Sequence, residues 1–127
     1  MIAIFHFLTV LTVIVHFLFI LFVIVGGFFA GRSKWLLMLH IACVTWAVFA
    51  ELTPGIICPL TSIENYFALR AGMATYQEDF ITRYLIPVIY QENVSNNIQL
   101  VLVVIVICIN VIAYGLYVTK RRNRKTV

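Results

Sequence analysis

From Met1 to Gly31 the chain carries no Asp, Glu, Lys or Arg, and the first charged side chain is Arg32. Built as a helix, residues 2–30 would be ~43 Å long at about 1.5 Å per residue. The hydrocarbon core of a bilayer is only ~30 Å thick, so such a helix must tilt or project from one face. A secretory signal peptide is the competing reading. It requires a basic stretch followed by an apolar run of roughly 7–15 residues. No basic residue precedes Arg32, and the run is about twice too long for that class. The reading adopted is a retained first span over about 2–30.

The rest of the chain agrees. Of 127 residues, 63% are apolar and only 11% charged, against roughly half and a quarter in soluble domains. One small core could not hide that much apolar surface from water; lipid removes the difficulty. A second uncharged run, Trp35 to Leu52 apart from Glu51, is just long enough to cross, and Trp35 stands where an indole suits the interface. Pro54-Gly55 ends it with a turn signal. A third run, Ile98 to Thr119, has no charge and leads into a basic tail, 120–127. The expected fold is a single all-α membrane domain, 1–127, with three transmembrane helices at about 2–30, 35–52 and 98–119. One or two short amphipathic helices are expected on the outward side.

Those short helices fall in the 53–97 segment. Ser62 to Ala74 reads as an amphipathic helix, and Thr61-Ser62-Ile63-Glu64 has the pattern of a capping box. Phe80 to Tyr90 is a second apolar piece, interrupted by Arg83 and Pro87. Neither is long enough to cross, so both are expected as helices lying on or dipping into the membrane surface, with a re-entrant hairpin as the alternative. Asn93-Val94-Ser95 is formally a glycosylation sequon.

Charge sets the expected orientation. Arg32 and Lys34 share one loop, and Lys120, Arg121, Arg122, Arg124 and Lys125 share the tail. With three spans the loop and tail lie on one side, which the positive-inside rule makes cytoplasmic. The N-terminus and the 53–97 cap then face outward. Every acid lies between the end of the second run and the start of the third: Glu51, Glu64, Glu78, Asp79 and Glu92. With the basic groups split in this way, no folded basic face remains for a nucleic acid. The three cysteines, Cys43, Cys58 and Cys108, have neither CxxC nor zinc spacing.

Polar residues inside a bilayer are costly and therefore informative. Thr9, Thr12 and His16 share one face of the first span, with His6 flanking it. His40 and Glu51 share a face of the second, ~16 Å apart along the axis. Asn110, Tyr114 and Tyr117 form a weaker stripe on the third. One reading makes these stripes glue between helices. The other makes His16 and His40 ligands of a haem b iron, or uses His16, His40 or Glu51 for a quinone, a lipid or a proton path. Glu51 sits at the outward end of its helix, within reach of Arg70 or Arg83 as a salt-bridge partner. Cys58 is either an inert thiol beneath the cap or, in an oxidising compartment, a pairing cysteine.

The order Leu39-His40, Trp46, Glu51-Leu52, Cys58-Pro59-Leu60-Thr61, Glu64-Asn65 is distinctive. Gly26-Gly27 precedes it, and Arg70-Ala71-Gly72, Phe80-Ile81, Tyr84-Leu85 and Pro87 follow. From about His16 to Tyr114 the chain resembles the bacterial membrane family called domain of unknown function 2784. It departs at Gln91, where proline is expected. The resemblance implies a bacterial inner membrane and carries no activity. It marks His16, His40, Trp46, Glu51, Cys58 and Glu64 as matching positions; Glu51, Cys58 and Glu64 form a candidate outer cluster. The expected role is a non-enzymatic subunit or accessory factor, in contact with the lipid bilayer and with other membrane proteins or further copies of itself. A haem- or quinone-binding redox protein using His16 and His40 is the alternative.

Overall fold

The computed structural model describes residues 1–53, 55–78, 80–89 and 97–126. Pro54, Asp79, Gln91, Glu92 and the sequon at 93–95 lie outside the described residues. Among the described residues every regular element is helical: α1 Ile2–Val25, α2 Lys34–Leu52, α3 Pro59–Arg70, α4 Ile86–Ile89 and α5 Asn97–Lys125. Three stretches, Ile2–Phe28, Lys34–Leu52 and Asn97–Lys125, are long and apolar enough to cross a bilayer. The all-α, three-span expectation holds.

The ends of the elements differ from expectation, each for a physical reason. The α-helical part of α1 stops at Val25, and tighter 3-10 turns at Gly26–Phe28 and Ala30–Arg32 carry the chain to α2. The glycines there let backbone approach the His40 ring. A Cβ on Gly26 would stand 2.6 Å from His40 Cδ2. At the other end, α5 continues to Lys125, so most of the basic tail is helical. Lys and Arg are good helix formers, and their charge suits a helix C-terminus.

The capping-box expectation is corrected. α3 starts at Pro59, with Cys58 as its N-cap residue; proline is preset for the first helical position because it has no N–H to satisfy. Thr61 and Glu64 therefore lie inside the helix. α3 ends at Arg70 rather than Ala74. Gly72 takes a left-handed φ of +73°, and Met73 N–H donates to Ala68 O at 2.9 Å, the Schellman ending.

α3 packs alongside α1. Near its start, Cys58 lines the same cavity as His16; near its end, Phe67 meets Phe5 at 6.4 Å between ring centroids. The two helices therefore run antiparallel, with Thr61, Glu64 and Ala68 buried along one face of α3. Glu51, in the last turn of α2, lies at the level of His16. The N-terminal half of α1 thus overhangs α2, and α3 sheathes the overhang. Among the described residues Thr9 and Thr12, buried on α1, bond within their own helix. Their hydroxyls donate back to Phe5 O and Leu8 O, both at 2.8 Å, a common arrangement for mid-helix threonine.

Candidate functional site

Among the described residues three polar groupings lie inside the protein, in different layers. The deepest involves His40, which is fully buried. Its Nδ1 pairs with Tyr114 Oη at 2.5 Å, and its ring meets Phe22 edge-on at 5.1 Å. Asn110 Nδ2 donates across to Val23 O at 3.0 Å and along its own helix to Val106 O at 2.9 Å. These two bonds, α2 to α5 and α5 to α1, are the inter-helix glue that the polar stripes foretold. The Cδ2–Cε1 edge of His40, which carries Nε2, abuts Gly26 and Gly27. That space is filled by backbone.

A second grouping locks the cap. The Glu64 carboxylate, 2% exposed, accepts from Tyr76 Oη at 2.8 Å and from Tyr84 Oη at 2.6 Å. Next to it, Asn65 Nδ2 donates to Tyr76 O at 2.7 Å, and Tyr76 N–H donates to Asn65 Oδ1 at 3.2 Å. Burial and then the bond to Glu64 push the Tyr84 phenol up to about 12; the same causes raise Tyr76 further. Arg83 lies over the Tyr76 ring at 5.4 Å, and Arg70 over Tyr66 at 4.4 Å.

The third grouping lines a cleft. Between α1, α2 and α5 lies a cavity of about 110 Å³. His16, Glu51 and Cys58 gather at its cap end, while Val23, Ile24, Ala47 and Val106 line the apolar length below. Phe80 closes the top, its ring stacked on His16 at 3.8 Å. A wide π-helical turn, Ile81–Leu85, follows Phe80 and leads into α4. The 80–89 piece therefore reaches in to the level of His16. His16 is 3% exposed, and its Nδ1 has no hydrogen-bond partner among the described residues.

Of the residues singled out in the sequence, the structure brings His16, Glu51 and Cys58 together. Glu64 is one layer away, joined through Tyr84, whose ring packs 4.7 Å from Phe80. His16 and His40 are not brought together. His40 does not line the cleft. Sequence reasoning missed Phe80, Tyr76, Tyr84 and Asn65 as site residues. Asn65, Phe80 and Tyr84 did stand among the residues that carry the family resemblance, and Tyr76, Phe80 and Tyr84 recur at a four-residue spacing.

Taken together these features define a small all-helical membrane protein, with three helices long and apolar enough to cross and a cap that closes a cleft between them. Residues 6–115 match the model of the family described as Protein of Unknown function (DUF2784), and the chain belongs to that family. No curated protein and no solved structure matches it.

Proposed function

We propose that this protein is a non-enzymatic accessory protein of a bacterial inner membrane that holds a neutral, single-tailed amphiphile in the His16–Glu51–Cys58 cleft. The observation that carries the reading is the cleft itself, apolar along its length and polar at one end. A buried polar atom left without a partner costs about 1–3 kcal/mol, so the His16 Nδ1 calls for a hydrogen-bonding guest. The cavity, about 110 Å³, exceeds the roughly 10–15 Å³ that one water needs but is below the roughly 300–1,000 Å³ of sites that enclose a whole small molecule, so it suits a small head and part of a tail. The charged residue among those lining it is Glu51, an acid, which disfavours an anionic head. A hydroxyl head that donates to His16 or Glu51 fits, whether on a quinol or on an isoprenoid alcohol. This favours a quinol-type ligand over a haem held between His16 and His40, which face different layers.

Trp46 lines the cleft and Trp35 stands at the far end of α2, so Trp35→Phe leaves one reporter at the site. Titration of that variant in mild detergent with farnesol and with decylubiquinol is expected to give a saturable change in Trp46 emission with at least one of them. Ala47→Phe, which fills the cleft, and His16→Phe should each weaken binding by about tenfold or more, the loss of one buried hydrogen bond or its equivalent. Equal binding of farnesene, which lacks the hydroxyl, would refute the reading, as would an unchanged affinity in Ala47→Phe.

The cap is read as facing outward and the tail as cytoplasmic. Seven Lys/Arg lie in the 32–34 loop and the tail, against Arg70 and Arg83 in the cap segment; this asymmetry supports the orientation. A reporter active only in the cytoplasm, fused after Val127, should be active. Activity only from a periplasm-specific reporter at that position would reverse the orientation.

A further inference from the structure

A second cavity lies at the opposite end of the protein and is independent of the cleft. On α5, Tyr117, Lys120, Arg121 and Arg124 follow the i, i+3, i+4, i+7 spacing of a single helix face. The 3-10 turns between α1 and α2 lie against this face. Gly31 makes that possible, because the Tyr117 ring occupies the place where a Cβ would stand. The turn delivers Arg32 to the same groove, its guanidinium 5.4 Å from the centre of the Phe29 ring. The groove has a volume of about 860 Å³, within the roughly 300–1,000 Å³ typical of small-molecule sites. Four cations line it: Arg32, Lys120, Arg121 and Arg124. Its walls are apolar, formed by Phe28, Phe29 and Leu116, all of them at least half exposed.

We infer that this groove binds the headgroup of an anionic phospholipid. The cations would hold the phosphate, with arginine forks well suited to its oxygens. The apolar walls continue onto the lipid-facing sides of α1 and α5, so an acyl chain leaving the groove meets hydrocarbon rather than water. A free phosphate ion would use the rim and leave those walls unused. Basic residues at a helix C-terminus also complement its dipole, and any juxtamembrane basic run attracts anionic lipid diffusely. Neither effect distinguishes the cations in the groove from those beside it. Arg122 and Lys125 carry the same charge on the same helix end but do not line the groove.

That distinction is the test. The full chain, purified in phosphatidylcholine nanodiscs, is titrated with phosphatidylglycerol, and retained lipid is read by native mass spectrometry. Wild type and the Arg122→Gln/Lys125→Gln double variant should retain phosphatidylglycerol alike, within about twofold. Lys120→Gln/Arg124→Gln should weaken retention by about tenfold, and Arg32→Gln, on a different segment, by several-fold. Equal weakening by the two double variants would overturn the inference in favour of a diffuse field. Retention unchanged in Arg32→Gln, or displacement of the lipid by an equal concentration of inorganic phosphate, would overturn it as well. All these positions are exposed and none lines the cleft, so far-UV circular dichroism should show the same helix content throughout.

Discussion

Glu64→Ala is expected to unlock the cap while leaving the three long helices in place. Its carboxylate receives both Tyr76 Oη and Tyr84 Oη at a site 2% exposed. Removing it leaves two phenols without their acceptor, at about 1–3 kcal/mol each, with the charge-assisted bonds at the upper end. The total, on the order of 3–5 kcal/mol, is large for a cap also held by the Asn65–Tyr76 pair, the α1–α3 contact and the Phe80–His16 stack. Hydrogen exchange should therefore quicken across 59–78 and 80–89 and stay slow in α2 and α5. Glu64→Gln keeps the shape and one acceptor oxygen, so its effect should be clearly smaller. Because the lock connects through Tyr84 to Phe80, the lid over His16, Glu64→Ala should also weaken occupancy of the cleft. Exchange in the cap no faster than in wild type would show that the tyrosine pair is not what holds it.

The second large effect is expected at the α1–α2 crossing. A helix normally gains about 0.5–1 kcal/mol when glycine becomes alanine. Gly26→Ala should do the reverse. The new methyl would stand 2.6 Å from His40 Cδ2 and 2.9 Å from Phe22, and His40 is fully buried and tethered to Tyr114. Overpacking of this kind costs about 1–3 kcal/mol. Gly115 supplies the control, because nothing lies within 4 Å of the place its Cβ would take. Unfolding in a denaturing detergent, followed by circular dichroism, should show Gly26→Ala less stable than wild type and Gly115→Ala equal or more stable. If both variants shift the same way, helix propensity rather than close packing governs the site.

The spans were legible because their signal is coarse: about thirty uncharged residues at the start, then two further apolar runs separated by charge. The same holds for the amphipathic piece of the cap. Details set by tertiary contact were not legible. Glu64 satisfies the capping-box pattern, yet its partners are tyrosines 12 and 20 residues away, and Pro59 starts the helix earlier. Pairing His16 with His40 needed a register between α1 and α2 that no periodicity encodes. The observed register sets His40 against Gly26 and Gly27 and brings Glu51 and Cys58 to His16. The matching positions His16, Trp46, Glu51 and Cys58 all line one cavity.

The most direct test of the central claim uses the protein as the cell makes it. Wild type and Ala47→Phe are purified side by side from native membranes in mild detergent, and the small molecules carried with each are compared by mass spectrometry. A neutral, hydroxyl-headed, single-tailed amphiphile should accompany wild type in near-stoichiometric amount and be absent from Ala47→Phe, whose helix content should be unchanged. Identical small-molecule profiles for the two proteins would contradict the account.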